Sequence, residues 1–127
     1  MGYRVGQVEF VVEHRQAGLV DEQRDGGATL RVYSDIEGQR TELLRFDCFH
    51  IAPHFHYAPA GENKRWFLDP LTTGDTIEWT REQVRNKLPQ MLAQAGYQEV
   101  ADSVDQEAVR KVLPQIEAAL RSGSSIL

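Results

Sequence analysis

The chain has 127 residues, of which 41% are hydrophobic and 26% charged, with a formal net charge of −5 and a sequence pI of about 5.3. That size and composition suit one domain with a real hydrophobic core, and the acidity argues against long-range attraction to nucleic acid or anionic membrane. A single cysteine excludes an internal disulfide framework.

The opening "MGYRVGQVEFVVEHRQ" lacks the apolar centre of a signal peptide, and no run approaches membrane-spanning length, so the expected location is the cytoplasm. In "VGQVEFVVEH" Val8, Phe10, Val12 and His14 fall on one face by period two, which predicts a strand. The polar stretch "RQAGLVDEQRDGG" reads as a link, with Asp25-Gly26-Gly27 as its turn. "ATLRVYS" alternates again, with Leu30 and Val32 inward, and "DIEGQR" supplies the next turn through Asp35 and Gly38. In "TELLRFDCF" Leu44, Phe46 and Cys48 are expected on the core face, and Leu43, Arg45, Asp47 and Phe49 on the other. Pro53 should interrupt the ladder, after which "HFHYA" and "KRWFLD" read as strands joined by "PAGEN".

Beyond Asp69-Pro70 the period becomes helical. One helix is predicted over about 81–95, with Thr80 as N-cap, Gln83 completing a capping box and Gly96 as stop. A second is predicted over 105–121, with Val109, Val112, Leu113, Ile116 and Leu120 as its apolar side, and residues 123–127 read as a frayed tail. "EQVRNKLPQM" and "EAVRKVLPQI" echo one another, and the prolines in them, Pro89 and Pro114, should kink or divide both helices. The predicted fold is α+β: an antiparallel meander of four to five strands with two C-terminal helices on one face, forming a single domain over 1–122.

Chemistry concentrates in "RFDCFHIAPHFHYAP", which carries three of the four histidines and the only cysteine. His54 and His56, at i and i+2 on a strand, offer two imidazoles to one side, a workable start for a divalent metal site. His50 is the candidate third ligand, and His14, Asp47 or Glu62 would complete a shell suited to zinc, iron or manganese. The alternative is that these histidines only pack against Phe49, Phe55, Tyr57 and Trp66. Arg45, Asp47 and His50 are the candidate catalytic residues. Arg45 would hold an anion, Asp47 would orient a histidine, and a histidine would act as base. Cys48 with His50 has the spacing of a nucleophile and its base, but its place among core positions marks it as filler. Arg31, Arg45 and Arg65 share one parity, as on sheets that hold single-stranded RNA, although Glu9, Glu13 and Asp47 on the same face account for them as cross-strand ion pairs.

"LLRFDCFHIAPHFHY" resembles the small bacterial TumE-type toxins of toxin–antitoxin pairs over residues 28 to 70. The matching positions are Leu44, Arg45, Asp47, His54 and His56. The resemblance implies a growth-inhibiting protein acting on RNA and neutralised by an adjacent antitoxin. The Arg-Phe-Asp-Cys-Phe core is equally similar to that of an uncharacterised bacterial domain of unknown function. Two functional classes follow: a toxin-like or hydrolase-like protein with a His/Asp/Arg site that takes an optional divalent metal, or a non-catalytic domain that docks a partner or a second copy through its open sheet face.

Overall fold

The computed structural model describes residues 2–123. Six strands follow one another in space as in sequence, each antiparallel to the next: β1 (Gly2–Val5), β2 (Val8–Val20), β3 (Gln23–Ile36), β4 (Gln39–Phe49), β5 (His54–Tyr57) and β6 (Lys64–Phe67). Four helices follow among the described residues: α1 (Pro70–Thr73), α2 (Thr76–Gln94), α3 (Gln98–Ser103) and α4 (Gln106–Ser122). The architecture is thus the expected antiparallel meander with helices on one face, with one more strand and two more short helices than the sequence periodicity suggests. No helix among the described residues is long and apolar enough to cross a membrane. The tail expected at 123–127 lies, beyond Gly123, outside the described residues.

The largest departure from expectation is the polar link after His14, which is strand. β2 continues to Val20 and turns through Asp21 and Glu22, both with positive φ, +49° and +67°. Positive φ at both central residues is the geometry of a type I′ hairpin turn, usually marked by glycine or asparagine, so two acidic residues give little sequence signal. The glycines that resembled a turn lie inside β3. A Cβ on Gly26 would come within 2.7 Å of the Arg15 carbonyl oxygen, and one on Gly27 within 2.6 Å of the Cys48 carbonyl oxygen. Only glycine fits there, at φ +156° and +150°, because the flanking strands approach too closely for any side chain.

A second irregularity sets the faces of β4. The register shifts between Val32 and Tyr33, so that Leu44 pairs with Val32 but Glu42 pairs with Tyr33. The extra residue is Leu43, and such a bulge turns two successive side chains to one side. Leu43, expected on the outer face, is accordingly buried in the core beside Leu44. Glu42 is left on the open face, where it meets Arg31.

The core lies between sheet and helices. Phe10, Leu30, Val32, Leu44 and Phe46 pack against Val84, Leu88 and Leu92 of α2 and Val109, Leu113 and Ile116 of α4, all buried. α2 begins five residues earlier than the Thr80 cap would place it. Asp75 is the N-cap, its carboxylate accepting from the amides of Ile77 and Glu78. Thr80 is instead a buried residue inside the helix, facing Cys48. Pro89 and Pro114 sit within α2 and α4 and divide neither. The carbonyl that Pro89 leaves without its helical donor, that of Arg85, accepts from the Gln106 side-chain amide at 2.8 Å. One helix thereby repairs the other's missing bond.

Candidate metal centre

The face of the sheet away from the helices carries the site. Register alone brings its parts together: Thr29 pairs with Asp47, Asp47 with His54 and His54 with Phe67 in one row across β3 to β6. The adjacent row runs Arg31, Arg45, His56, Arg65. Side chains in the same row and in neighbouring rows two residues apart meet on one face, so Asp47, His54 and His56 converge.

Asp47 is the centre of the cluster and is almost wholly buried, with 1% of its side chain exposed. Its Oδ1 accepts from the Thr29 hydroxyl at 2.8 Å and from Arg15 Nη2 at 3.0 Å. Its Oδ2 lies 3.0 Å from His54 Nε2, 3.3 Å from His56 Nε2 and 3.7 Å from Arg45 Nε, and with the ring protons on the far nitrogens it has no hydrogen-bond donor. Burial pushes the Asp47 carboxyl up, but hydrogen bonds from His54 and His56 when their Nε2 atoms carry protons, the Thr29 hydroxyl and the Arg15 charge outweigh it and hold the group ionised, well below the usual carboxylate range.

The far nitrogen of each ring fixes its tautomer. His54 Nδ1 lies 2.9 Å from the Ala52 carbonyl oxygen, which can only accept, so Nδ1 carries the proton. His56 Nδ1 donates in the same way to Asn63 Oδ1 at 2.7 Å. In neutral rings both Nε2 atoms are then bare lone pairs beside a carboxylate oxygen, an arrangement that repels unless a cation lies among the three. A histidine that donates one N–H to a carbonyl and presents the other nitrogen unprotonated is the usual preparation of a metal ligand. The separations fit: ligands about 2.0–2.1 Å from a tetrahedral ion stand about 3.3 Å from one another. All three ligand atoms lie within 4.8 Å of each other.

The surroundings are built to hold this geometry. The turn between β4 and β5 is fixed by Asp25, a buried residue whose carboxylate accepts from the amides of Gly26, Ile51 and Ala52 at 2.8, 2.9 and 2.9 Å. Since Ala52 supplies the carbonyl that orients His54, Asp25 acts on the site from the far side of the turn. The His54 ring is held between the rings of Phe49 and Phe67, with centroids 5.5 and 5.1 Å away.

The other residues singled out by sequence lie elsewhere. His50 is exposed and does not return across Pro53 to join His54 and His56; its amide is tied to the Gly26 carbonyl. With His14 and Cys48 it lines a cavity of about 220 Å³ on the helix side of the sheet. His14 Nε2 donates to the Leu120 carbonyl at the end of α4. A Cβ at Gly123 would collide with the His14 ring. Cys48 is buried against Thr76 and Thr80, and burial pushes its thiol up to about 11, so it is no thiolate at neutral pH. Glu62 is an exposed partner of Lys64. Arg45 does stand beside Asp47, at 3.7 Å from Oδ2. Sequence reasoning missed Asp25, Asn63, Thr29 and Arg15, the residues that hold the cluster in place.

An antiparallel meander backed by helices, with two imidazoles and a carboxylate converging on its open face, defines a small α+β protein with a His₂Asp candidate metal centre. The chain belongs to the family described as a domain of unknown function, DUF7700, whose family model matches residues 3–120. No curated protein and no solved structure matches the chain. The TumE likeness therefore rests on the residues quoted for it alone.

Proposed function

We propose that the domain binds one divalent metal ion through Asp47 Oδ2, His54 Nε2 and His56 Nε2, and uses it for hydrolysis. The observation that carries this reading is Asp47 Oδ2, a buried ionised oxygen with no hydrogen-bond partner, set against two imidazole nitrogens whose partner atoms are already protonated. Two histidines and one carboxylate suit zinc, iron(II) or manganese(II) and leave coordination positions open. An ion so held lowers the pKa of a bound water toward neutrality and supplies a nucleophile. His54, the most exposed of the three at 12%, marks the side from which a substrate would approach.

Titration of chelator-treated protein with zinc or manganese is expected to show one equivalent bound. The His54→Ala/His56→Ala double variant, folded by circular dichroism, should bind none. Equal uptake by the double variant, or no uptake by the parent protein, removes the reading. A growth-inhibiting action of the TumE kind would run through the same Asp47 and His56. Induced expression in a bacterial host tests it: arrest that survives Asp47→Asn and His56→Ala contradicts it, and arrest lost with both supports it.

A further inference from the structure

We infer that the ligand this centre takes is a small oxyanion, with one oxygen on the ion and another held by Arg45. The inference rests on the metal reading above and names the substrate class of that site.

Charge balance is the first reason. Without an ion the network is neutral: Arg15, Arg31 and Arg45 face Asp47, Glu13 and Glu42, three charges against three. With neutral imidazoles, a divalent ion brings two further positive charges into a nearly buried place, and these call for an anionic partner. No further carboxylate is among the groups that could hold the ion, which are Asp47, His54 and His56 alone among the described residues.

Arg45 is the second reason. Arg31, in the same row, hydrogen-bonds Glu13 and Glu42, both at 2.9 Å. Arg45 forms no such bond. Its nearest carboxylate contacts are 3.7 Å to Asp47 Oδ2 and 3.8 Å to Glu42 Oε1, and its buried Nε has no hydrogen-bond partner. An arginine whose side chain is 18% exposed, held next to the candidate ligand carboxylate and left with unused donors, is positioned to grip an oxyanion through its N–H groups. Arg65 is the third. It stands directly across from His56 on the edge strand β6, exposed, its guanidinium 5.1 Å from the Phe67 ring centroid, with no ion-pair partner among the described residues. The net charge of −5 makes a small anion a better fit than a polyanionic strand.

The test uses cobalt(II)-loaded protein, whose visible absorption reports the ligands on the ion. Inorganic phosphate in one arm and acetate in the other distinguish a phosphate from a carboxylate ligand. Saturable spectral change is expected with at least one of them. Arg45→Gln should still take up one equivalent of cobalt but bind that anion about 10- to 100-fold more weakly, the loss of a charge-assisted hydrogen-bonding group. Arg65→Gln, at an exposed position, is the second variant should Arg45→Gln not fold, and a several-fold weakening is expected of it. A spectrum that neither anion changes, or anion affinity unaltered in both variants, overturns the inference while leaving the metal centre standing. Failure to take up cobalt at all overturns the metal reading, and this inference with it.

Discussion

Asp47→Ala is expected to destabilise the metal-free protein by about 3 kcal/mol, because removing one partner of a buried charged pair leaves the other uncompensated. Arg15 and the Thr29 hydroxyl both lose their acceptor at Oδ1, and Arg45 loses its nearest negative charge. Partial exposure of Arg15 keeps the cost toward the lower end of the range for such pairs. The second effect separates a ligand from a structural carboxylate. Ion at 100 times its dissociation constant should stabilise the parent protein by about 2.7 kcal/mol, and the variant by nothing. Asp47→Asn keeps an acceptor for Thr29 and removes the charge, so it should be the more stable variant and equally indifferent to metal. Chemical denaturation of the three proteins with and without zinc measures both effects. An Asp47→Ala protein as stable as the parent and raised equally by zinc would contradict the assignment.

Asp25→Ala should have a comparable effect from a position that touches no candidate ligand. Its carboxylate is the acceptor for three backbone amides, those of Gly26, Ile51 and Ala52. Hydrogen bonds to a charged group contribute about 1.5–3 kcal/mol each, but Ile51 and Ala52 are only half buried and water can replace part of the loss. A total near 3 kcal/mol is expected, a fall in melting temperature of roughly 10–15 °C for a chain of this size. Where the variant remains folded, the 50–53 turn no longer aims the Ala52 carbonyl at His54, and metal affinity should fall about 10- to 100-fold, as on losing a partner that orients a ligand. Asp25→Asn, with one acceptor oxygen left, should fall between the two. Thermal unfolding followed by metal titration reads both, and an unchanged melting temperature for Asp25→Ala would show that the turn is held by something else.

Much of the fold could be read from pattern because burial imposes it. Strand alternation placed Phe10, Leu30, Val32 and Phe46 inside, and the helical stripes placed Val84, Leu88, Val109 and Ile116 opposite them. The reading failed where geometry, not hydrophobicity, decides. Gly26 and Gly27 look like a turn in sequence, whereas close approach of β2 and β4 requires them in the middle of a strand. The turn-like glycines hide the second half of β2, and with it Arg15, which reaches Asp47 from what looks like a linker in sequence. The Leu43 bulge was invisible for the same reason, since strict period two has no place for an extra residue.

The candidate site was legible to the extent that parity governs it. His54 and His56 had to share a side, and Arg45 and Asp47 had to share one too. Whether the two pairs faced each other depended on the register across Pro53, which Asp25 sets from a strand 22 residues upstream of Asp47. No local pattern carries that information. The same turn sends His50 to the opposite side of the sheet, so the third candidate ligand is a carboxylate rather than the third histidine of the segment.

The most direct measurement is anomalous scattering from crystals of the zinc-loaded protein, recorded on either side of the zinc absorption edge. One peak is expected among Asp47 Oδ2, His54 Nε2 and His56 Nε2. A peak beside His14 and His50 instead, or none between β4 and β5, would contradict the His₂Asp centre.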